Sequence, residues 1–169
     1  MPASKASKKE RERAEREIET LAKKAEEARE KEDYGKTVAI YQQMSRLAKS
    51  IRDKRAVDFC MDAARYSEKL RNDFKTGWCY KTAADHSLAF EDYNNAINFA
   101  EKAIKYFSRS NSLYVVQWCY NVIGKASEKL KDRDLAIKSY KKSLEIQHSE
   151  EIEDRLEHLI KNKEKDKKG

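Results

Sequence analysis

The tripeptide Trp78-Cys79-Tyr80 returns 40 residues later as Trp118-Cys119-Tyr120. The residues that follow the two copies also correspond in size and polarity, with Ala84 opposite Gly124, Ser87 opposite Ser127, Ala96 opposite Ala136 and Ile97 opposite Ile137. A period between about 20 and 50 residues is typical of stacked arrays, in which one unit cannot bury its apolar face alone. The sequence therefore predicts a repeat protein.

The same offset extends towards the N-terminus. Asp33-Tyr34-Gly35 corresponds to Asp73-Phe74-Lys75, with Tyr114 at the aromatic position of the next unit, and Val38 then pairs with Trp78. We therefore predict three helical hairpins of 40 residues over 33–152, divided near 72 and 112. Within each hairpin, small residues are expected where two helices cross most closely, at Ala56, Ala84, Ala96, Gly124 and Ala136.

Composition indicates that the elements are helices. The hydrophobic fraction of 39% is periodic, and only four Gly and one Pro interrupt it. We predict an all-α fold, an α-solenoid of about eight antiparallel helices, with helix N-caps within Asn72-Asp73 and Ser110-Asn111-Ser112. Its parts are a disordered basic tail at 1–9, a charged capping helix at 10–31, the three hairpins, a capping helix at 153–162 and a Lys-rich disordered tail at 163–169.

The sequence also limits the cellular context. It has no apolar run of the roughly 18 residues that a membrane span needs. The first residues are rich in Lys, Arg and Glu, unlike a secretory signal, so a cytoplasmic protein is expected. Cys60, Cys79 and Cys119 are widely spaced and odd in number, so we interpret them as buried free thiols instead of disulfides or zinc ligands.

Several of these residues resemble the tetratricopeptide (TPR) consensus, in which small residues occupy the helix crossings. The resemblance is carried by Tyr120, Ile123, Gly124, Ser127, Ala136, Tyr140 and Ser143, and its best stretch is 134–146. The period here is 40 residues, whereas a TPR repeat normally has about 34. Helical hairpins of this greater length are similar to those of the soluble NSF-attachment-protein (SNAP) branch of TPR-like proteins. The resemblance implies a right-handed superhelix of helical hairpins. It also implies a non-catalytic scaffold or adaptor for protein binding, with a SNAP-like membrane-trafficking adaptor as an alternative.

In the TPR family the first helix of each hairpin lines a concave groove that binds a peptide or helical segment of another protein. The matching positions here are Val38, Tyr41, Trp78, Lys81, Asp85, Trp118, Asn121 and Lys125. The two tryptophans could equally fill the core between hairpins, because aromatic residues are enriched at both kinds of site. The Lys81 head is expected to stay in water, where it could bind a partner.

An enzyme is not expected. The sequence has no Gly-rich phosphate loop, no metal-ligand spacing and no nucleophile with an evident base, so no catalytic residue, metal or cofactor is predicted. Asp85 and His86 are adjacent, but neighbouring residues of a helix point about 100° apart and cannot act as a pair.

Two further functions are open alternatives. The net charge of +7 and the pI near 9.2 favour nucleic-acid or ribosome binding. However, residues 1–33 hold ten basic and ten acidic side chains, and the excess is concentrated only in 161–169, with five basic against two acidic. Self-association is the other alternative, since stacked hairpins expose apolar ends if their caps are incomplete.

Overall fold

The computed structural model describes residues 6–166, with side chains through Lys163, and over that range it contains eight α-helices and no strand. The helices are α1 (Lys8–Glu30), α2 (Tyr34–Ser50), α3 (Arg55–Lys69), α4 (Asp73–Ala89), α5 (Tyr93–Arg109), α6 (Leu113–Lys129), α7 (Arg133–Ile146) and α8 (Glu150–Asp166). The predicted all-α class is confirmed. None of these helices is long and apolar enough to cross a membrane.

The helices end in one repeated way, which explains why the connections are so short. The second residue after each of the first six helices has a positive φ; it is Glu32, Arg52, Arg71, Glu91, Asn111 or Lys131. The next amide then bonds back across the last turn, as from Asn72 N to Ser67 O, in the manner of a Schellman motif. The chain reverses within three or four residues, so consecutive helices run antiparallel.

Acidic and amide side chains begin the following helices. The carboxylates of Asp33, Asp92 and Asp132 and the amide oxygen of Asn72 each accept from the backbone N–H three residues on, at 2.9 to 3.3 Å. Ser112, the last residue of the predicted stretch Ser110-Asn111-Ser112, occupies the N-cap of α6, but its hydroxyl donates to the Ser110 carbonyl at 3.3 Å and does not cap the helix.

Packing follows chain order. Each helix packs against the next one, and α4 also contacts α6 directly. The apolar residues form three clusters, one between α1, α2 and α3, a large one from α2 to α6, and one between α7 and α8. This arrangement is that of an α-solenoid, in which each unit contacts only its neighbours.

The small residues expected at helix crossings are all buried. Ala56, Ala96 and Ala136 are fully enclosed, and Ala84 is 1% exposed. At Gly124 an added Cβ would overlap the ring of Tyr140 from α7, so this position admits no side chain without displacing that ring. Close approach of α6 and α7 therefore depends on the absence of a side chain at this point.

The structure departs from the predicted register in the first hairpin. The N-caps Asp33 and Asn72 are one residue closer than the 40-residue offset, whereas Asn72 and Ser112 keep it. Val38 therefore corresponds to the buried Gly77 and not to Trp78. The α2–α3 connection is one residue longer than the α4–α5 connection, but α3 has 15 residues where α5 has 17, so the first unit is one residue shorter overall.

The predicted tails differ from the observed helix ends. Helix α1 already begins at Lys8, where Ser7 and Glu10 form a capping box, and α8 continues to Asp166, beyond the predicted end at residue 162. Residues 1–5 and 167–169, which carry the rest of the two predicted tails, lie outside the described residues.

Candidate functional site

Two tryptophan side chains stand exposed on adjacent first helices. Trp78 on α4 is 42% exposed and Trp118 on α6 is 58% exposed. Neither indole belongs to the hydrophobic clusters, so the alternative that both fill the core between hairpins does not hold. Because α4 contacts α6, the two indoles lie on neighbouring parts of one surface.

Lys81 links the two indoles. Its ammonium lies 5.3 Å from the Trp78 ring centroid and 4.4 Å from that of Trp118, and it forms an ion pair with Asp85 at 2.8 Å. The residue is only 7% exposed, so the expectation that its head stays in water is wrong. A partly desolvated cation–π contact is worth about 1–2 kcal/mol. Lys81 therefore fixes the tryptophans relative to each other.

Two more aromatic residues extend this surface. Phe74 stacks on Trp78 with ring centroids 6.2 Å apart, and Tyr114 is 65% exposed one turn before Trp118. A cleft of about 130 Å³ is lined by Trp78, Lys81, Tyr114, Val115 and Trp118. We call Phe74, Trp78, Tyr114 and Trp118 the aromatic surface, and this cleft the α4–α6 cleft.

The sequence had a signal for the two residues that were missed. Phe74 and Tyr114 precede the tryptophans by four residues, which places them on the same helix face, and both were matched to Tyr34 as a repeated aromatic position. At the level of sequence they serve only to align the units, just after the predicted divisions near 72 and 112. The observed caps place both within the first helical turn.

The other four predicted groove residues are buried, half-buried or in contact with side chains outside the aromatic surface. Val38 is 3% exposed within the main hydrophobic cluster, so its assignment to the groove is wrong. Tyr41 is half-buried and stacks on Tyr66 of α3, with centroids 5.9 Å apart. Asn121 is half-buried, and Lys125 forms an ion pair with Glu151 of α8 at 3.3 Å. Of the eight predicted residues, Trp78, Lys81, Asp85 and Trp118 lie together, and their role in binding stays a prediction.

A second cleft lies beside Trp78, between α2 and α4. It measures about 170 Å³ and is lined by Gln42, Ser45, Arg46, Cys60, Trp78, Cys79 and Thr82. Because Trp78 lines both clefts, they adjoin each other along one strip of surface. We call this one the α2–α4 cleft.

Beneath it, the structure brings together polar residues that are distant in sequence. The Ser45 hydroxyl lies 2.8 Å from the Ala56 carbonyl oxygen, 3.0 Å from Cys60 Sγ and 3.1 Å from His86 Nε2. Ser45 donates to the carbonyl, so its oxygen accepts from His86 and the ring is not placed as a general base towards it. Burial is the main cause that lowers the pKa of His86 to about 4 and raises that of Cys60 to about 12.

This buried cluster therefore holds neutral groups and stabilises the packing of α2, α3 and α4. A nucleophile would need access and a base, and Ser45 is 1% exposed. Within the described residues, no group of three or more His, Cys, Asp and Glu side chains is arranged to hold a metal ion.

Comparison with known proteins bears on the class of the chain. Residues 119–148 match the family model of the tetratricopeptide repeat, a segment that includes most of α6, all of α7 and the stretch 134–146. No curated protein is significantly similar to this chain. The match and the eight consecutively packed helices support a TPR-like helical repeat protein. Such arrays present extended surfaces for protein binding.

Proposed function

We propose that this protein is a non-catalytic scaffold or adaptor that binds a segment of another protein on the aromatic surface. The observation that carries the proposal is the pair of exposed indoles, held together by Lys81 on successive first helices of a TPR-like array. Aromatic residues dominate the energetics of protein interfaces, and truncation of a central one typically costs about 2 kcal/mol or more.

Rigidity supports the proposal. Association loses free energy when mobile side chains are ordered, by about 0.5–1.5 kcal/mol for each. Trp78 stacks on Phe74 and also contacts the Lys81 ammonium, and Trp118 contacts the same ammonium. The surface is thus ordered before a partner arrives, so less of the binding energy is lost.

A cytoplasmic protein is part of this proposal, and a SNAP-like trafficking adaptor is its narrower form. Nucleic-acid or ribosome binding is the alternative that the net charge of +7 favours. The two functions differ in their response to salt. Contacts with several phosphates weaken by orders of magnitude between low and moderate salt, whereas an apolar aromatic interface loses little.

The proposal is tested by site-specific photo-crosslinking in a lysate of the source cells. A benzoylphenylalanine at Tyr114 should crosslink a protein. Trp118→Ala should abolish that crosslink while the protein stays folded, with a thermal midpoint lowered by no more than the loss of the Lys81 contact, about 1–2 kcal/mol, explains. The matched control places the crosslinker at Lys138, an exposed residue of α7. Equal capture from both positions, or capture that survives Trp118→Ala, would assign binding to another surface.

A further inference from the structure

The cations around the two clefts fall into two groups. Lys81, which lines the α4–α6 cleft, is neutralised by Asp85 at 2.8 Å. Arg46 and Lys49 lie one turn apart on α2, both exposed, and neither forms an ion pair with any residue that the structure describes. Arg46 lines the α2–α4 cleft together with Trp78. Uncompensated positive charge thus lies at one end of the strip and aromatic surface at the other.

We propose, on the basis of the protein-binding function above, that the partner segment is an extended acidic peptide. An Asp or Glu carboxylate of this peptide pairs with Arg46 at the α2–α4 cleft. A large apolar side chain of the same peptide enters the α4–α6 cleft between Trp78 and Trp118. The planar guanidinium suits a carboxylate, to which it can donate two parallel hydrogen bonds.

The state of Lys81 excludes a cationic ligand at the indoles. Aromatic faces often bind ammonium groups of partners. Here the protein's own ammonium already lies 4.4 Å from the Trp118 centroid, and the Asp85 carboxylate that pairs with this ammonium is neutralised by it. A basic partner would have to displace Lys81 and would also meet Arg46 and Lys49. An anionic partner meets neither obstacle.

Geometry sets the spacing between the two recognised residues. Packed helices lie about 8–10 Å apart, and an extended chain advances about 3.3 Å per residue. The two clefts share Trp78, one on the α6 side of α4 and the other on its α2 side, so we infer a separation of about one helix spacing. The acidic and apolar residues of the peptide should therefore be about three positions apart.

The experiment is selection from a displayed library of random twelve-residue peptides against the full chain. Wild-type protein should enrich peptides with Asp or Glu about three positions from Leu, Ile, Met or Phe. Arg46→Glu should keep the apolar preference and lose the acidic one. Arg13→Glu, which reverses an exposed arginine on α1, is the matched control and should select the same peptides as wild type.

The affinity of one enriched synthetic peptide is then measured by tryptophan emission. The chain has two tryptophans, Trp78 and Trp118, so its emission reports only on this surface. Arg46→Glu should weaken binding about tenfold and reduce its dependence on salt, whereas Arg46→Lys should recover part of the loss.

The outcomes separate this inference from the proposed function. Peptides that depend on Trp118 but show no acidic preference, or whose acidic preference survives Arg46→Glu, would overturn the inference and leave peptide binding standing. Failure to enrich any peptide relative to Trp118→Ala would overturn peptide binding itself. If a single-stranded RNA competes with the acidic peptide through Arg46 and binds more tightly, the anionic partner is nucleic acid and the inference is wrong.

Discussion

At the scale of single residues, Lys81 shows how burial changes the role of a charged side chain. The ammonium contacts two indoles and one carboxylate, and its residue is 7% exposed. A buried cation is tolerated only when it is paired, because desolvation otherwise costs several kcal/mol. Lys81 is therefore a structural link between α4 and α6 that organises the aromatic surface.

Substitution of Lys81 by Met should separate this role from simple packing. Lys81→Met keeps an unbranched side chain but removes both cation–π contacts and the ion pair, so we expect a loss of about 1–2 kcal/mol and a changed tryptophan emission. Thermal unfolding and fluorescence measure the two effects. Lys75→Met, at an exposed position of α4, is the control. If the two variants behave alike, Lys81 does not hold the indoles.

His86 gives a prediction for pH. Burial and the nearby charge of Lys49 lower its pKa to about 4 from an ordinary value of 6.5, although Asp85 opposes this shift. The unfolded chain therefore binds a proton between pH 6.5 and 4 that the folded chain does not, and the stability present at neutral pH is lost as the pH falls through this window.

We expect wild type to lose about 2 kcal/mol between pH 7.5 and pH 5 through this one group. His86→Gln cannot titrate and should lack that component, although the variant is less stable at neutral pH. Denaturant unfolding at the two pH values gives the pH-dependent change in the free energy of unfolding for each protein. Subtracting one change from the other cancels the contributions of the other titrating groups. Parallel curves for the two proteins would show that His86 keeps an ordinary pKa.

At the scale of elements, helix crossings depend on small side chains. Ala136 of α7 is fully enclosed, and α7 lies so close to α6 that Gly124 has no room for a Cβ. Large residues at such points force side chains and backbone apart, at a typical cost of about 1–3 kcal/mol. The repeated small residues thus set the distance between helices.

Ala136→Leu should accordingly destabilise the protein by about 1–3 kcal/mol, because the larger side chain overpacks the crossing. Lys138→Leu, at an exposed position of the same helix, controls for the helix propensity and hydrophobicity of leucine. Thermal or denaturant unfolding measures both. An unchanged midpoint for Ala136→Leu would place the crossing elsewhere.

At the scale of the whole molecule, α8 covers one face of α7. Ile152 and Leu159 are buried against α7 in a cluster with Ala136 and Tyr140. Arg155 donates to Glu128 of α6 at 2.9 Å, and Tyr140 also donates to that carboxylate, so three helices meet in one hydrogen-bonded network. A terminal helix with a polar outer face is what a solenoid needs to stay soluble.

Removal of α8 tests this role and the alternative of self-association. A chain that ends at Gln147 exposes the apolar face of α7, so we expect lower stability and a mass that rises with concentration in light scattering. The full chain should stay monomeric over the same range. If the full chain also associates, α8 is not a complete cap. If the shortened chain stays monomeric, the exposed face of α7 does not mediate self-association.

The sequence by itself determined the local structure of this protein. The residues Asp33, Asn72, Asp92 and Asp132 begin helices because a side-chain oxygen caps the next turn, an interaction confined to a few neighbouring residues. Such short-range patterns, together with periodicity, predict that the helices form and that the fold is all-α. They also predict where small residues lie at the helix crossings. The TPR resemblance over 134–146 was visible for the same reason.

The tertiary structure alone decided which side chains meet and which stay exposed. The first hairpin is one residue shorter than the predicted offset, which places Val38 in the core while Trp78 is exposed, and no pattern within α2 reveals it. Ser45 and His86 meet from different helices, and Lys81 is enclosed because Trp118 approaches from the next hairpin. Burial and charge compensation depend on what a neighbouring helix presents, and that helix is encoded many residues away.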